Sequence, residues 1–363
     1  MYLQNEPYRN DLINALKGTV NIQRLYHKSI LITGATGLIG SFAADMLLYA
    51  NGTENAQIEI YLLARDEKRL KERFASSLGE KGLHFVVQDV VNPLELNAEA
   101  DYIIHAAGDG FPAAFREHPV ETMTPALLGT YQLLQYATRI ASHTAEKNML
   151  NKFLYVSSGE VYGKLSGIEH AFTEKECGYL DSMSARSCYP MAKRCAETLC
   201  VSFGEQYHVP VTVVRPGHIY GACTSAHDNR ATVQFLNDAA AGKNIILHSA
   251  GKQMRSYTYV ADCVSGMFTV LLNGADGEAY NIANAASRVT IAEFADILSG
   301  KAGVDYTVKT PDENEKKEHT PIEYAVLDSS KLEQLGWHGQ YDIYRGIERM
   351  LEIRRMESCI KRS

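Results

Sequence analysis

Short apolar segments alternate with helical segments from residue 29 to residue 215, and this alternation limits the chain to a small set of folds. The apolar segments are 29–33, 58–63, 83–88, 101–105, 152–156 and 211–215, and the helices between them are predicted near 38–49, 66–78, 120–140 and 189–207. Apolar strands separated by helices are typical of a parallel sheet that is covered on both faces. The sequence therefore predicts an α/β fold with a doubly wound parallel sheet.

The alternation ends after Arg215, and a smaller α+β region is predicted to follow. Its short strands are expected at 245–248, 257–260 and 279–283, and its helices near 261–272 and 290–299. We expect this region to bind the substrate at the carboxyl edge of the sheet. The predicted parts are an N-terminal extension (1–28) with a short helix at 11–16, a main domain (mainly 29–215), and a region (mainly 216–363) from which some strands and helices return to the main domain.

A glycine-rich segment, TGATGLIG (33–40), connects the first predicted strand to the first long helix. The G-x-x-G-x-x-G spacing permits a tight turn, a close approach of phosphate to the backbone, and close packing of the helix on the strand. Glycines also occur at such turns for steric reasons alone, but the position on the first strand-to-helix turn favours a Rossmann-type dinucleotide site. The predicted cofactor contacts of this loop are Gly34, Thr36, Gly37, Leu38, Ile39 and Gly40.

The residues after the second and third strands bear on which dinucleotide binds. An NAD enzyme usually offers an acid to the ribose 2′-hydroxyl after the second strand, whereas this chain has Ala64 and Arg65. Arg65 suits a 2′-phosphate, which slightly favours NADP; alternatively, Arg65 stacks on adenine or Asp66 takes the hydroxyl. Asp89, which precedes Val90, can hydrogen-bond the adenine amine or cap a turn. We therefore predict NADP or NAD, with Arg65, Asp89 and Val90 near the adenosine.

Two further segments carry acid–base chemistry. SSGEVYG (157–163) follows a buried strand, at the end where α/β sheets usually bind ligands. Tyr189 and Lys193 lie four residues apart on a predicted helix and so share one face. A lysine ammonium lowers the pKa of a nearby phenol, so Tyr189 can accept a proton from a sugar hydroxyl while hydride leaves the same carbon. A Tyr-x-x-x-Lys pair alone is common, but its position after the other two motifs favours a catalytic pair.

The ordered series of motifs resembles the extended short-chain dehydrogenase/reductase family, and within it the nucleotide-sugar epimerases, dehydratases and decarboxylases. The resemblance covers about residues 29–340. It is carried by TGATGLIG, HAAG (105–108), SSGEVYG, YPMAK (189–193), RPGHIYG (215–221), QMRSYTYVAD (253–262), YNIAN (280–284) and LGW (335–337). The series is specific for the family and less specific for one reaction.

The resemblance implies catalytic roles for four residues. Tyr189 would be the base, Lys193 its activator and a ligand of the cofactor ribose, and Ser158 the hydroxyl residue that binds O4 of the sugar. Glu160 would be a further catalytic acid or base, although it can instead be a structural acid that bonds backbone at the strand end.

The resemblance also implies binding residues. Ala106, Ala107 and Pro216 would line the cofactor, and Arg186 would contact the substrate. Arg255 would meet the substrate diphosphate, because a guanidinium fits phosphate oxygens well; a surface arginine without this role is the ordinary alternative. The expected partner is a nucleotide-diphosphate sugar.

Gly159 bears on which reaction of this family the chain catalyses. These enzymes begin by oxidising C4 of the sugar, and the 4,6-dehydratases usually carry Thr-Asp-Glu where this chain has Ser158, Gly159 and Glu160. Glycine cannot protonate a leaving hydroxyl, so 4,6-dehydration loses support. The chain is more similar to UDP-glucuronate decarboxylases, through FREHPVET (115–122) and the R-x-C-Y-x-x-x-K-R helix (186–194).

A decarboxylase does not need the missing acid, since a 4-keto-uronate is a β-keto acid that loses carbon dioxide unaided. We therefore expect a UDP-glucuronate decarboxylase-like enzyme that works through a 4-keto sugar with a tightly bound, recycled cofactor. Nucleotide-sugar 4-epimerisation or 4,6-dehydration is the alternative reaction, and a non-catalytic NAD(P) sensor is the alternative outside enzymes. The loop GDGFPAAF (108–115) departs from the Ser/Pro-rich segment of the decarboxylases, which leaves the sugar open.

Composition limits the compartment and the partners. A net charge of −7 at pH 7 without a long basic run argues against nucleic acid as the main partner. Seven cysteines without a CxxC pair predict free thiols in a reducing cytoplasm. No apolar run reaches the roughly 20 residues that span a bilayer, and the first residues lack a signal peptide. We expect a cytoplasmic protein with no membrane partner, and the resemblance implies a homodimer.

Several other side chains are assigned structural positions. His105 and Tyr162 are predicted to pack, and Asp262 to cap the helix that follows it. No metal is predicted, because His227 and His248 lack partners at metal-ligand spacing. His218 is near the predicted substrate without a firm role. The arginines of the C-terminal helix are expected on a solvated face; they are Arg345, Arg349, Arg354 and Arg355.

Overall fold

The apolar segments predicted as strands form the centre of the structure. The computed structural model describes residues 2–141, 150–165, 170–224, 228–309 and 322–360. Its strands are β1 (Ser29–Thr33), β2 (Glu59–Ala64), β3 (Leu83–Val87), β4 (Tyr102–His105), β5 (Lys152–Val156), β6 (Val211–Pro216), β7 (His218–Tyr220), β8 (Ile245–Leu247), β9 (Met254–Tyr259), β10 (Ala279–Ile282), β11 (Arg288–Thr290), β12 (Tyr306–Val308) and β13 (Tyr324–Ala325).

The helices mostly follow the strands in alternation. They are α1 (Glu6–Gly18), α2 (Leu38–Glu54), α3 (Glu67–Arg73), α4 (Pro112–Glu117), α5 (Pro119–Thr124), α6 (Thr130–Ala141), α7 (Cys188–Tyr207), α8 (Ala231–Ala240), α9 (Val260–Asn273), α10 (Ile291–Ala302), α11 (Ser330–Glu333) and α12 (Ile343–Ile360). The predicted helix at 11–16 is longer than expected and becomes α1. No described helix is both long and apolar enough to cross a membrane.

Seven strands form a parallel sheet in the order β10-β6-β5-β4-β1-β2-β3. One face is covered by α1, α2 and α9, and the other face by α6 and α7. Both faces of the central strands are therefore dry, which explains their apolar sequences. The predicted Rossmann-type doubly wound fold is confirmed. The strand order reverses between β1 and β4, and such a switch point is where open α/β sheets bind ligands.

The later strands divide between two places. β10 lies at the edge of the main sheet beside β6, so this strand returns from the region after residue 215. β9 pairs with β7, β11 and β13 in a smaller sheet, and β8 pairs with β12. Because β7 begins two residues after β6 ends, the smaller sheet starts at the carboxyl edge of the main sheet.

The helix predicted at 120–140 is confirmed as one continuous helical segment from Pro119 to Ala141. It consists of α5, a π-helical turn at Pro125–Gly129, and α6. Pro125 accounts for the π-helical turn, because proline has no N–H to donate and its ring clashes with the preceding helical turn. Turns of this kind are frequent at functional sites.

The roles predicted for two charged side chains, Asp262 and Arg349, are wrong. Asp262 does not cap α9; it lies inside the first turn, and its carboxylate accepts hydrogen bonds from the backbone N–H groups of Gln340 (2.9 Å) and Tyr341 (3.0 Å). Arg349 does not lie on a solvated face, since its Nε donates to the carboxylate of Asp11 at 3.1 Å. In both cases the partner is distant in sequence, and local patterns carry no signal for it.

Helix α1 is anchored by Asp11, which is fully buried. Its carboxylate accepts hydrogen bonds from the hydroxyls of Tyr259 (2.7 Å) and Tyr341 (2.8 Å), besides the one from Arg349. A buried carboxylate is stable only when its oxygens are bonded in this way. The N-terminal extension is therefore tied to β9, to α12 and to the loop before α12.

We predict that Asp11→Ala lowers the free energy of unfolding by about 3 kcal/mol, because it leaves buried hydroxyls and a guanidinium without their acceptor. The control is Glu6→Ala on the same helix, where the side chain is exposed and the expected change is below about 1 kcal/mol. Urea unfolding followed by circular dichroism measures both. Equal midpoints for the two variants would contradict the proposed anchor.

Candidate functional site

The glycine loop after β1 is pressed against the turn after β4. Gly34 has a φ of +68°, and a Cβ atom built there would lie 2.5 Å from the carbonyl oxygen of Ala106 and 2.8 Å from the nitrogen of Ala107. A side chain at Gly40 would overlap the Gly34 carbonyl. Only glycine fits these two positions, so the loop and the predicted cofactor residues Ala106 and Ala107 form one surface.

The N-terminus of α2 suits an anion. Gly37 precedes the helix, and no side chain caps its first turn. The first N–H groups of a helix carry a partial positive charge and bind phosphates readily. Thr36, Leu38 and Ile39 are half-buried around this end of the helix. The chain's own residues therefore fit the pyrophosphate of a dinucleotide.

The residues predicted near the adenosine follow β2 and β3, which lie on the side of β1 away from β4. Arg65 is exposed after β2, while Asp66 is occupied because it caps α3 by accepting from the Arg69 N–H at 3.0 Å. Asp89 accepts from the Val91 N–H at 3.2 Å, which is the turn-capping alternative considered for it. Val90 is buried. Arg65 and Asp66 are thus both exposed, and Asp66 has a structural partner.

Tyr189, Lys193 and Ser158 meet at the carboxyl end of β5. The Lys193 ammonium is buried, donates to the Val156 carbonyl at 2.7 Å, and lies 5.8 Å from the centre of the Tyr189 ring. The Ser158 side chain lies near the Tyr189 phenol and acts to lower its pKa. Helix α7 begins at Cys188, so the helical spacing presents both side chains to the strand end. The predicted proximity of these three residues is present in the structure.

The predicted effect of Lys193 on the phenol is not seen. Burial, together with the nearby charge of Glu160, raises the pKa of Tyr189 to about 12, and the opposing effects of Ser158 and Arg230 do not cancel this rise. Burial also lowers the pKa of Lys193 to about 8. The ammonium is directed at a backbone carbonyl rather than at the phenol oxygen, which explains why spacing alone misled the prediction.

Glu160 and Arg186 form an ion pair beside this cluster. An Arg186 nitrogen lies 3.5 Å from a Glu160 carboxylate oxygen, and both side chains are partly exposed. The Arg186 guanidinium also lies 4.9 Å from the centre of the Phe115 ring, and this ring stacks on Tyr189 with centroids 4.7 Å apart. The sequence did not single out Phe115, because nothing local links residue 115 to residue 189.

Gly159 faces an apolar neighbour. A Cβ atom there would lie 3.1 Å from Leu327 and 3.4 Å from the carbonyl oxygen of Pro216. A side chain at this position would therefore begin in contact with Leu327. Pro216, predicted to line the cofactor, is buried at the end of β6.

Two arginines reach the site from the later region. Arg255 is 2% exposed, and its guanidinium donates to the backbone carbonyls of Met254 (2.8 Å), Glu323 (3.2 Å) and Ile322 (2.6 Å). Arg230, which the sequence did not single out, is paired with Asp228 at 2.6 Å. The charge of Arg230 acts to lower the pKa of Tyr189. Burial lowers the pKa of His218 to about 3, and the charges of Arg255 and Arg230 add to that shift.

Other predicted positions have simple partners. The Tyr162 hydroxyl donates to Asn281 at 2.7 Å beneath the loop, as the packing prediction required. Among the described residues, no group of three or more His, Cys, Asp and Glu side chains could hold a metal ion. His227 lies outside the described residues.

We predict that Gly34→Ala lowers the free energy of unfolding by about 3 kcal/mol, because the new Cβ overlaps backbone and the left-handed conformation disfavours alanine. The control is Gly52→Ala in α2, where a Cβ would have nothing within 4 Å and alanine should stabilise the helix by up to about 1 kcal/mol. Thermal and denaturant unfolding measure both changes. A neutral Gly34→Ala would show that the loop can move away from Ala106.

Comparison with known proteins agrees with this geometry. The chain is 28% identical over 338 residues to UDP-glucuronic acid decarboxylase 3 of Arabidopsis thaliana, covering 92% of this chain and 91% of that protein. A dTDP-glucose 4,6-dehydratase from Streptomyces venezuelae, solved with NAD bound, superposes with a TM-score of 0.76 at 23% identity, covering 92% of this chain and 98% of the other.

A UDP-glucuronic acid 4-epimerase from Bacillus cereus, solved with UDP-glucuronic acid and NAD, superposes with a TM-score of 0.72 at 21% identity. The superposition covers 91% of this chain and 99% of the epimerase. The family model described as "NAD dependent epimerase/dehydratase family" matches residues 30–283. This match spans the glycine loop, the Tyr189–Lys193 helix and β10, and the chain therefore belongs to the NAD-dependent epimerase/dehydratase family.

Proposed function

We propose that this protein converts a nucleotide-diphosphate uronate, with UDP-glucuronate as the first candidate, by oxidation at C4, loss of carbon dioxide and reduction of the resulting ketopentose. The observation that supports this proposal most strongly is that Ser158, Tyr189 and Lys193 lie close together at the end of β5. The similarity to UDP-glucuronic acid decarboxylases over most of the chain supports the choice of substrate.

Tyr189 is the proposed base for the C4 hydroxyl, which Ser158 positions by hydrogen bonding. When bound, NAD(P) would supply the hydride acceptor for the oxidation at C4 and the hydride donor for the later reduction. Lys193 holds positive charge close to the phenol ring and is the proposed ligand of the cofactor ribose. The enclosed position of Tyr189, stacked on Phe115, excludes water from the face of the ring that Phe115 covers.

Gly159 supports decarboxylation over dehydration. The 4-keto-uronate loses carbon dioxide without an acid, and the electrons of the broken C5–C6 bond move into the ketone to give an enolate. Dehydration instead needs a proton donor for the leaving hydroxyl, and the space at residue 159 is bounded by Leu327. The enolate must then gain a proton at C5, and Glu160, held by Arg186 at 3.5 Å, is the proposed group that delivers it.

The arginines support an anionic substrate. Arg186, Arg230 and Arg255 all act on the Tyr189–Glu160 region. Guanidinium groups bind phosphate and carboxylate oxygens in a bidentate manner, so this set matches a diphosphate together with a uronate carboxylate. We keep Arg186 as a substrate contact and assign the diphosphate to Arg255, whose guanidinium would have to exchange its backbone carbonyl partners for phosphate oxygens.

The cofactor is proposed to be NADP or NAD. The exposed Arg65 supports a 2′-phosphate, and the engagement of Asp66 in the α3 cap removes one acid that would favour NAD. The solved relatives with bound NAD support the second choice. Exposed free thiols at Cys177 and Cys195 support a reducing compartment such as the cytoplasm.

Incubation of the purified protein with UDP-, dTDP-, CDP- and GDP-sugars, followed by mass spectrometry of the products, tests the reaction. We predict that UDP-glucuronate loses the mass of carbon dioxide, and that Tyr189→Phe slows this turnover by at least about 100-fold, because general-base catalysis of this kind contributes about that much. The control is Tyr179→Phe, since Tyr179 is 69% exposed. Loss of water, an unchanged mass with an altered sugar, or full activity of Tyr189→Phe would contradict the proposal.

We also propose that the protein is a homodimer formed through α5, α6 and α7. Apolar side chains on these helices and on the π-helical turn between α5 and α6 are exposed; they are Val120 (65%), Leu128 (51%), Tyr131 (43%), Val201 (39%) and Tyr207 (42%). Phe203 joins the helices at this surface, with its ring 6.0 Å from Tyr131 and 5.1 Å from Tyr207. An exposed apolar group of this kind marks an interaction site, and the family resemblance names a second copy as the partner.

The combined substitution Tyr131→Glu and Val201→Glu should convert a dimer to a monomer, because it buries carboxylates in an apolar contact. Tyr344→Glu is the control, since Tyr344 is also exposed, at 59%, but lies on α12. Size-exclusion chromatography with light scattering gives the mass of each variant. A wild-type monomer, or a dimeric double variant, would rule out this surface.

A further inference from the structure

His105 is a buried histidine that the proposed chemistry does not use. It is the last residue of β4, it is fully buried, and it lies opposite Thr33 of β1 in the parallel register. Its Nδ1 is 2.8 Å from the Thr33 hydroxyl, and its Nε2 is 3.2 Å from the carbonyl oxygen of Pro125. Both ring nitrogens therefore have partners, on opposite sides of the imidazole.

The hydrogen bonds determine which nitrogen carries the proton. The Thr33 oxygen accepts the backbone N–H groups of Ala106 and Ala107, each at 3.2 Å. A hydroxyl has two lone pairs and one hydrogen, so its hydrogen is left for His105 Nδ1. Nδ1 is then an acceptor, and the ring proton lies on Nε2, where it points to the Pro125 carbonyl. Burial, with the charge of Lys193 in addition, lowers the pKa of His105 to about 3, which agrees with a neutral ring.

The two ends of this chain of hydrogen bonds are functionally distinct. At one end, the Ala106–Ala107 turn is in contact with Gly34. At the other end, Pro125 begins the π-helical turn that leads into α6. In the same turn, a Cβ at Gly129 would lie 2.9 Å from Val90 and 3.5 Å from His105. The histidine thus connects the turn beside the glycine loop with the irregular helix behind the cleft.

We propose that His105 is a positioning residue for the dinucleotide cleft: fixed as the neutral Nε2–H tautomer, it holds the Ala106–Ala107 turn, through Thr33, at a set distance from the π-turn at Pro125. This proposal rests on the assignment of that turn and of the Gly34 loop to the cofactor. Without the Nδ1 acceptor, the Thr33 hydrogen has no partner in a dry site. The hydroxyl then rotates, and its hold on the two amides weakens.

The tautomer can be tested on the unmodified protein. Nuclear magnetic resonance of protein labelled with nitrogen-15 in histidine distinguishes a protonated from an unprotonated ring nitrogen at pH 7. We expect a ring with a proton on Nε2 and none on Nδ1 that disappears from the spectrum of His105→Leu. A proton on Nδ1, or on both nitrogens, would overturn the proposal. This measurement needs neither cofactor nor substrate, so it is independent of the proposed reaction.

Two variants separate positioning from packing. The Oδ1 atom of His105→Asn can replace the Nδ1 acceptor, whereas His105→Leu fills similar space without accepting. We expect NAD to bind about tenfold more weakly to His105→Leu and within about threefold of wild type to His105→Asn, as a lost hydrogen bond predicts. Titration calorimetry after removal of bound dinucleotide by charcoal measures the affinity.

The comparison of these two variants decides the outcome. Equal affinities in His105→Leu and wild type, or equal losses in both variants, would overturn the positioning role, since a merely structural residue would not be rescued by the acceptor. Product formation by wild type is measured separately. A failure of the proposed decarboxylation therefore leaves the NAD comparison intact.

Discussion

The close approach of the Gly34 backbone to the Ala106–Ala107 turn is the contact on which the site depends. β1 and β4 are adjacent, with Thr33 opposite His105, so their carboxyl ends are level. A Cβ on Gly34 would overlap the Ala106 carbonyl. The glycine loop and the turn can therefore form one surface only because residue 34 has no side chain. Because β5 follows β4 in the sheet, the same edge then brings Ser158 next to the cleft.

Much of this fold could be read from local patterns. β1 and β5 have the predicted bounds, because a strand buried on both faces is mostly apolar and each of these follows a polar residue, Lys28 or Asn151. The Tyr189–Lys193 pair was predictable for a similar reason, since helical spacing fixes which side chains share a face. In these cases the determining partners lie within a few residues.

The errors share a physical cause. The carboxylate of Asp262 accepts from residues 340 and 341, Arg349 donates to Asp11, and Phe115 stacks on Tyr189. Each contact joins segments that only the folded topology brings together. A prediction from the local pattern therefore could not include these partners. The π-helical turn at Pro125–Gly129 is different, because its signal, a proline inside the predicted helix, was present in the sequence.

The ionisation of the site is set by burial more than by neighbouring charge. Burial raises the pKa of Tyr189 to about 12 and lowers that of Lys193 to about 8, so both groups are moved toward their neutral forms. The proposed role of Tyr189 as a base requires the phenolate, since a neutral phenol cannot accept a proton. Burial disfavours that form, so positive charge would have to come from the bound molecules, and an oxidised nicotinamide ring would supply such a charge. The Tyr189–Lys193 spacing alone therefore does not account for the proposed proton acceptor.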